Sequence, residues 1–127
     1  MSAYKIKIDN IHCVRQADAK DEAEIWLLAQ SDGGAPVRYP PSPLSTYSIP
    51  TGGTWNINGD LILEFDGCCN LTIYEQDRKI NIDRTDFLGC ARFTSGADPS
   101  NQKIAANGTD KGNGDYTEFT IEFSWAQ

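Results

Sequence analysis

The last eleven residues constrain this chain most. Thr117, Phe119, Ile121, Phe123 and Trp125 alternate with Glu118, Thr120, Glu122 and Ser124. A period of two is the signature of a strand with one buried face. Each fully buried aromatic or aliphatic side chain contributes roughly 1.5–3 kcal/mol, so five inward positions commit this end of the chain to a sheet.

The same pattern recurs upstream. Tyr4–Asp9 puts Tyr4, Ile6 and Ile8 on one face. Leu61–Phe65 does the same with Leu61, Leu63 and Phe65, and Leu71–Glu75 with Leu71 and Ile73. Glu24–Ala29 is apolar enough for a central strand, and Thr54–Ile57 reads as a short one. Phe87–Phe93 is interrupted by Gly89, which marks a bulge or a close approach. Ser31-Asp32-Gly33-Gly34, Thr51-Gly52-Gly53 and Asp66-Gly67 are turn material, Pro40-Pro41-Ser42-Pro43 is an extended connection, and Asn107–Asp115 reads as a hairpin loop. About eight short strands separated by turns define an all-β chain, an antiparallel β-sandwich. At 127 residues without a dividing linker, residues 1–127 are expected to form one domain.

Composition excludes several functions. The apolar fraction is 39%, and no run approaches the roughly 20 residues of a spanning helix. Eleven Lys and Arg against 18 Asp and Glu give a net charge of −7, with no basic patch to meet phosphates, so nucleic acid is not an expected partner. With one His and no C-x-x-C the usual zinc patterns are missing. Cys13 and Cys90 adjoin apolar strand positions and are expected to behave as small buried hydrophobes. Met1-Ser2-Ala3-Tyr4 is not the basic start of a signal peptide. That start and the thiols together lead us to expect a cytoplasmic protein.

Catalysis finds little footing. His12 and Cys13 are strand neighbours, whose side chains point to opposite faces. Neither G-x-S-x-G nor a P-loop occurs. The expected role is non-enzymatic.

Acidic residues gather in two segments. Asp18 and Asp21-Glu22 precede one strand. Glu75, Asp77, Asn81, Asp83 and Asp86 run from the end of Leu71–Glu75 to the restart at Phe87. Hard oxygen donors gathered in this way suit Ca²⁺, which takes six to eight of them in flexible geometry. Turn capping by Asp, or neutralisation by Arg78, Lys79 and Arg84, accounts for the same residues without an ion.

The run Leu71-Thr-Ile-Tyr-Glu-Gln-Asp77, followed by Asp86-Phe-Leu-Gly89, resembles the signature of the C2 domain, the calcium- and phospholipid-binding β-sandwich family. Asp21-Glu-Ala-Glu-Ile-Trp-Leu27 is similar to the family's earlier motif, where an Asp opens a strand. Trp55–Phe65 and Phe119–Trp125 resemble its middle and final strands. The resemblance implies Asp21, Glu75, Asp77 and Asp86 as calcium ligands, with Asp18 and Asp83 as neighbours able to join them. It also implies Lys79, Ile80 and Ile82 as a tip that meets a membrane or partner. Two departures stand out: Glu75 replaces the family's usual Asp, and the second acidic loop is longer than usual. Phospholipid, protein or glycan are the partners this reading admits.

Two other classes compete. A lectin-like sandwich would stack a sugar on Trp55, with Tyr39, Tyr47 or Tyr116 beside it, while Trp26 and Trp125 belong to the core. A structural or assembly protein would pair through the final strand, if that strand lies at an edge.

Overall fold

In the computed structural model, residues 4–15, 23–42, 45–76, 85–94, 103–109 and 116–126 are described. Their regular structure is nine strands: β1 (Tyr4–Arg15), β2 (Ala23–Ser31), β3 (Val37–Tyr39), β4 (Tyr47–Ile49), β5 (Thr54–Phe65), β6 (Cys68–Gln76), β7 (Thr85–Thr94), β8 (Lys103–Thr109) and β9 (Tyr116–Trp125). The terminal alternation becomes β9. Phe119, Ile121 and Phe123 are completely buried, while Glu118, Thr120 and Glu122 are half-buried.

β1 is longer than its alternation implies. Ile6 and Ile8 are buried at even positions, whereas Ile11 and Cys13 are buried at odd ones. The register against β9 shifts between Ile8 and Asn10. One extra residue resets the phase of a strand, which keeps four apolar side chains inward where strict alternation would have turned the last two out.

The two short strands read at 54–57 and 61–65 are one strand, β5. Asn58 (φ 56°) and Gly59 (φ 79°) kink it without ending it. A Cβ on Gly59 would also stand 3.2 Å from Lys7 Cδ. Gly89 falls where a bulge is expected: the register between β6 and β7 slips there, with Ile73 opposite Gly89 and Tyr74 opposite Phe87.

All pairings are antiparallel, in the order β3-β2-β6-β7-β8-β9-β1-β5, with β4 also on β2. The sheet folds into two layers. β3, β4, β2, β6 and β7 form one, and β8, β9, β1 and β5 the other. Among the described residues, one bridge, Cys90 to Asn107, joins them. The core between the layers holds Ile25, Leu27, Leu71, Ile73 and Phe93 from the first, and Ile6, Ile8, Leu63, Phe119 and Phe123 from the second. Phe93 and Phe123 meet edge to face at 4.8 Å across it.

Four expectations are corrected. β9 lies between β8 and β1, so it offers no free edge for assembly; the path ends instead at β3 and β5. Cys90 is exposed, because Ala91 and Phe93 take the inward phase of β7. Asn107–Thr109 belong to β8 rather than to a loop. Trp26 lies on the outer face of β2, since Ile25, Leu27 and Ala29 occupy the inner one. The side chain of Trp125 lies outside the described residues.

Candidate functional site

The register gathers one set of strand ends. Ile25, near the start of β2, stands opposite Glu75 at the end of β6, and Gln76 stands opposite Thr85 at the start of β7. Arg15 at the end of β1 faces Glu118 of β9, and Thr109 at the end of β8 faces Tyr116. The β4–β5 turn joins them: Cys13 N–H donates to Gly53 O (2.9 Å) and Gly52 N–H to Cys13 O (2.8 Å). The strand ends that border both acidic segments therefore share one end of the sandwich.

Of the candidate ligands, Glu75 is described in full. It is half-buried, flanked by Ile25 on β2 and by Asp86 on β7. Position 86 is directly opposite 75, and directly opposed residues have Cβ atoms roughly 4.5–5.5 Å apart. Like charges at that spacing oppose each other, which a neighbouring cation, from a side chain or an ion, offsets. The Asp86 side chain lies outside the described residues, as do Asp18, Asp21, Asp77, Lys79, Ile80, Ile82 and Asp83 entirely. Among the described residues, no three His, Cys, Asp or Glu side chains gather into a metal-binding group.

His12 and Cys13 diverge as neighbours in a strand do. His12 is half-buried with Nδ1 2.8 Å from Thr54 Oγ1, while Cys13 is completely buried. No Cys–His pair forms between them.

Trp55, the possible sugar contact, is turned inward. It is 6% exposed and stacks on Tyr47 at 4.8 Å and on Tyr39 at 5.6 Å. As the second residue of β5, just after the Gly52-Gly53 turn, it takes the strand's inward phase. Tyr39 donates from its hydroxyl to Asp60 Oδ2 at 2.7 Å, and Tyr47 to Thr54 O at 3.3 Å. Three aromatic rings thus bridge the layers where the edges of β3, β4 and β5 come together. The side chain of Tyr116 lies outside the described residues.

Two clusters have no forerunner in the sequence reading. On the outer face of β2, Trp26 stacks on Tyr74 at 4.7 Å, and the Arg38 guanidinium lies 4.1 Å from the Trp26 ring centroid. Arg38 also donates to Ser42 O (3.0 Å) and Ser45 O (2.8 Å), fastening the β3–β4 connection over the ring. Trp26 Nε1 is buried there with no acceptor among the described residues. Cross-strand pairing of residues 26 and 74 was the available signal, but it needed the register. At the opposite end of the sandwich from the acidic segments, the Asp32 carboxylate accepts three consecutive backbone N–H groups, from Asp66 (2.8 Å), Gly67 (2.7 Å) and Cys68 (3.0 Å). These bonds hold its carboxyl below the usual carboxylate range.

The arrangement is that of a C2-like β-sandwich. The chain superimposes on the human GIVD cytosolic phospholipase A2 in complex with methyl gamma-linolenyl fluorophosphonate inhibitor and terbium chloride, with a TM-score of 0.52 and 15% identity over 94% of this chain. It spans only 16% of that phospholipase's length. It also matches a C2 domain of a plant extended synaptotagmin 1, with a TM-score of 0.50 and 9% identity, covering 97% of this chain and 94% of that domain. No protein-family model matches the sequence, and no curated protein matches it. At these identities the likeness is one of fold.

Proposed function

We propose that this chain is a non-enzymatic, calcium-responsive docking module. It meets a phospholipid surface or a protein partner through the end of the sandwich that carries its acidic segments. The observation that supports this most is the register that borders both segments with adjoining strand ends and sets Glu75 opposite Asp86. Two opposed carboxylate positions on rigid strands suit a hard, oxygen-seeking cation better than they suit an empty turn. Asp18, Asp21, Glu75, Asp77, Asp83 and Asp86 would hold the ion. Calcium would supply neutralisation of these carboxylates and open coordination positions for a phosphate or carboxylate of the partner.

The chain's own residues do the rest. The β1–β9 and β2–β6–β7 ladders hold the strand ends still, so little ordering entropy remains to be spent when a ligand binds. Lys79, Ile80 and Ile82 are the proposed contact tip. An acidic protein of net charge −7 repels an anionic bilayer unless the local sign is reversed, which makes docking depend on the ion. The C2-like fold favours this reading over a lectin, and the burial of Trp55 weighs against the lectin further. The engagement of His12 and the burial of Cys13 favour docking over catalysis. We place the module in the cytoplasm, where Cys13, Cys68, Cys69 and Cys90, none of them in a disulfide, remain reduced.

Titration calorimetry with CaCl₂ tests the reading. The wild-type chain is expected to bind, and Asp77→Asn/Asp86→Asn to lose the signal. Sedimentation with phosphatidylserine vesicles then reports docking, expected only with calcium. A wild-type chain that shows no heat with millimolar calcium contradicts the proposal.

A further inference from the structure

The open edge of the sandwich lies away from the acidic end. The path of strands ends at β3 in one layer and β5 in the other. Near Asp60 these two edges are clasped by the Tyr39 hydroxyl and the Trp55 stack. Beyond the clasp they part. A groove of about 220 Å³ opens there, lined by Ala29, Val37, Leu61, Ile62, Leu63 and Glu64 among others.

Three observations bear on its occupant. First, β5 runs for twelve residues and pairs on one side only, with β1, among the described residues. Such an edge offers unpaired N–H and C=O groups to an added strand. Second, large apolar side chains are exposed beside it. Val37 is 60% and Ile62 46% exposed, and both line the groove. An edge guarded only against pairing would carry charge at 62 as it does at 60 and 64. Third, the volume falls below the roughly 300–1,000 Å³ of small-molecule sites. It suits one or two apolar side chains from a longer ligand.

Charge decides which ligand. Asp60, Ile62 and Glu64 are exposed on the outer face of β5, and Asp66 follows just beyond its end. The strand itself carries no cation. Lys5 and Lys7 pair from β1, on the far side of β5 from the open edge. A second copy of this chain would set carboxylate against carboxylate along the edge, which is unfavourable. We propose that β5 accepts an extended peptide of another protein by strand addition. Cationic residues of that peptide stand opposite Asp60 and Glu64, an apolar residue meets Ile62, and the alternate side chains enter the groove against Leu61, Leu63 and Val37. Backbone pairing gives affinity, and the cation–apolar–cation alternation gives selectivity.

The test uses the full chain, labelled with nitrogen-15, and two short acetylated peptides, one with two lysines separated by three valines and the other with glutamates in place of those lysines. The lysine peptide is expected to shift amides within 60–65 and around Val37, more weakly at high salt. Val37→Asp and Ile62→Asp, both at exposed positions, are expected to weaken it about tenfold each. Glu64→Lys is expected to move preference toward the glutamate peptide, with an unchanged melting temperature showing that the fold is intact. Three results would overturn the proposal: no amide shift with millimolar lysine peptide, equal shifts from both peptides, or a dimer in sedimentation equilibrium that Ile62→Asp abolishes. The last would assign the groove to a second copy.

Discussion

The Asp32 carboxylate accepts the backbone N–H of Gly67 at 2.7 Å, with those of Asp66 and Cys68 beside it. Because these bonds favour the ionised form, the folded-state pKa lies below the unfolded value of about 3.9. The stabilisation is present above that unfolded value and is lost as pH falls through the folded one. Asp32→Asn keeps a side chain that tolerates the positive φ of 52° but removes the charge. It should lower the urea midpoint at neutral pH, and the gap from wild type should narrow below about pH 4.

Tyr39 gives the opposite sign. Desolvation and the hydrogen bond to Asp60 push its phenol up to about 12. Its contribution is present below the unfolded value of about 10 and is lost as pH rises through the folded one. Ultraviolet titration should find Tyr39 ionising late. Tyr39→Phe should remove that step and cost about 1 kcal/mol at neutral pH.

Trp55 separates packing from recognition. Stacked on Tyr39 and Tyr47 and nearly buried, it should cost about 3–5 kcal/mol when replaced by Ala. A sugar-binding platform on the surface would leave the denaturation midpoint almost unchanged.

Gly59 combines a φ of 79° with a neighbour 3.2 Å from any added Cβ. Gly59→Ala should cost about 1–2 kcal/mol in chemical denaturation. Asn58→Gly, which relaxes the adjoining positive φ, should cost less.

How far the fold was legible depends on where strands keep their phase. β9 and β2 alternate or run apolar without interruption, and both were readable. β1 lost its pattern at Asp9 because a bulge shifts the inward positions from even to odd. β5 looked like two strands because Asn58-Gly59 resembles a turn, although pairing with β1 holds on both sides of it. β8 carries Ile-Ala-Ala-Asn-Gly, which has no alternation, and is specified by β9 beside it. β3 and β4, three residues each, are too short to show a period.

The candidate site divides in the same way. That both acidic segments adjoin strands was readable from sequence, and the register places those strand ends together. The roles of Asp32 and Trp55 were not readable, because their partners come from distant positions: Asp32 meets backbone 34 to 36 residues away. A turn beside a residue says nothing of the sheet that will cover it.

The most direct test of the docking account is the melting temperature of the wild-type chain and of Glu75→Gln, each in millimolar CaCl₂ and then in EGTA. A ligand at a hundredfold over its Kd stabilises the native state by about 2.7 kcal/mol, which is several degrees for a chain of this length. The account predicts a calcium-dependent rise in the wild type that Glu75→Gln largely loses. Identical melting in calcium and EGTA for the wild type would contradict it, leaving Glu75 and Asp86 as an acidic pair with a structural role alone.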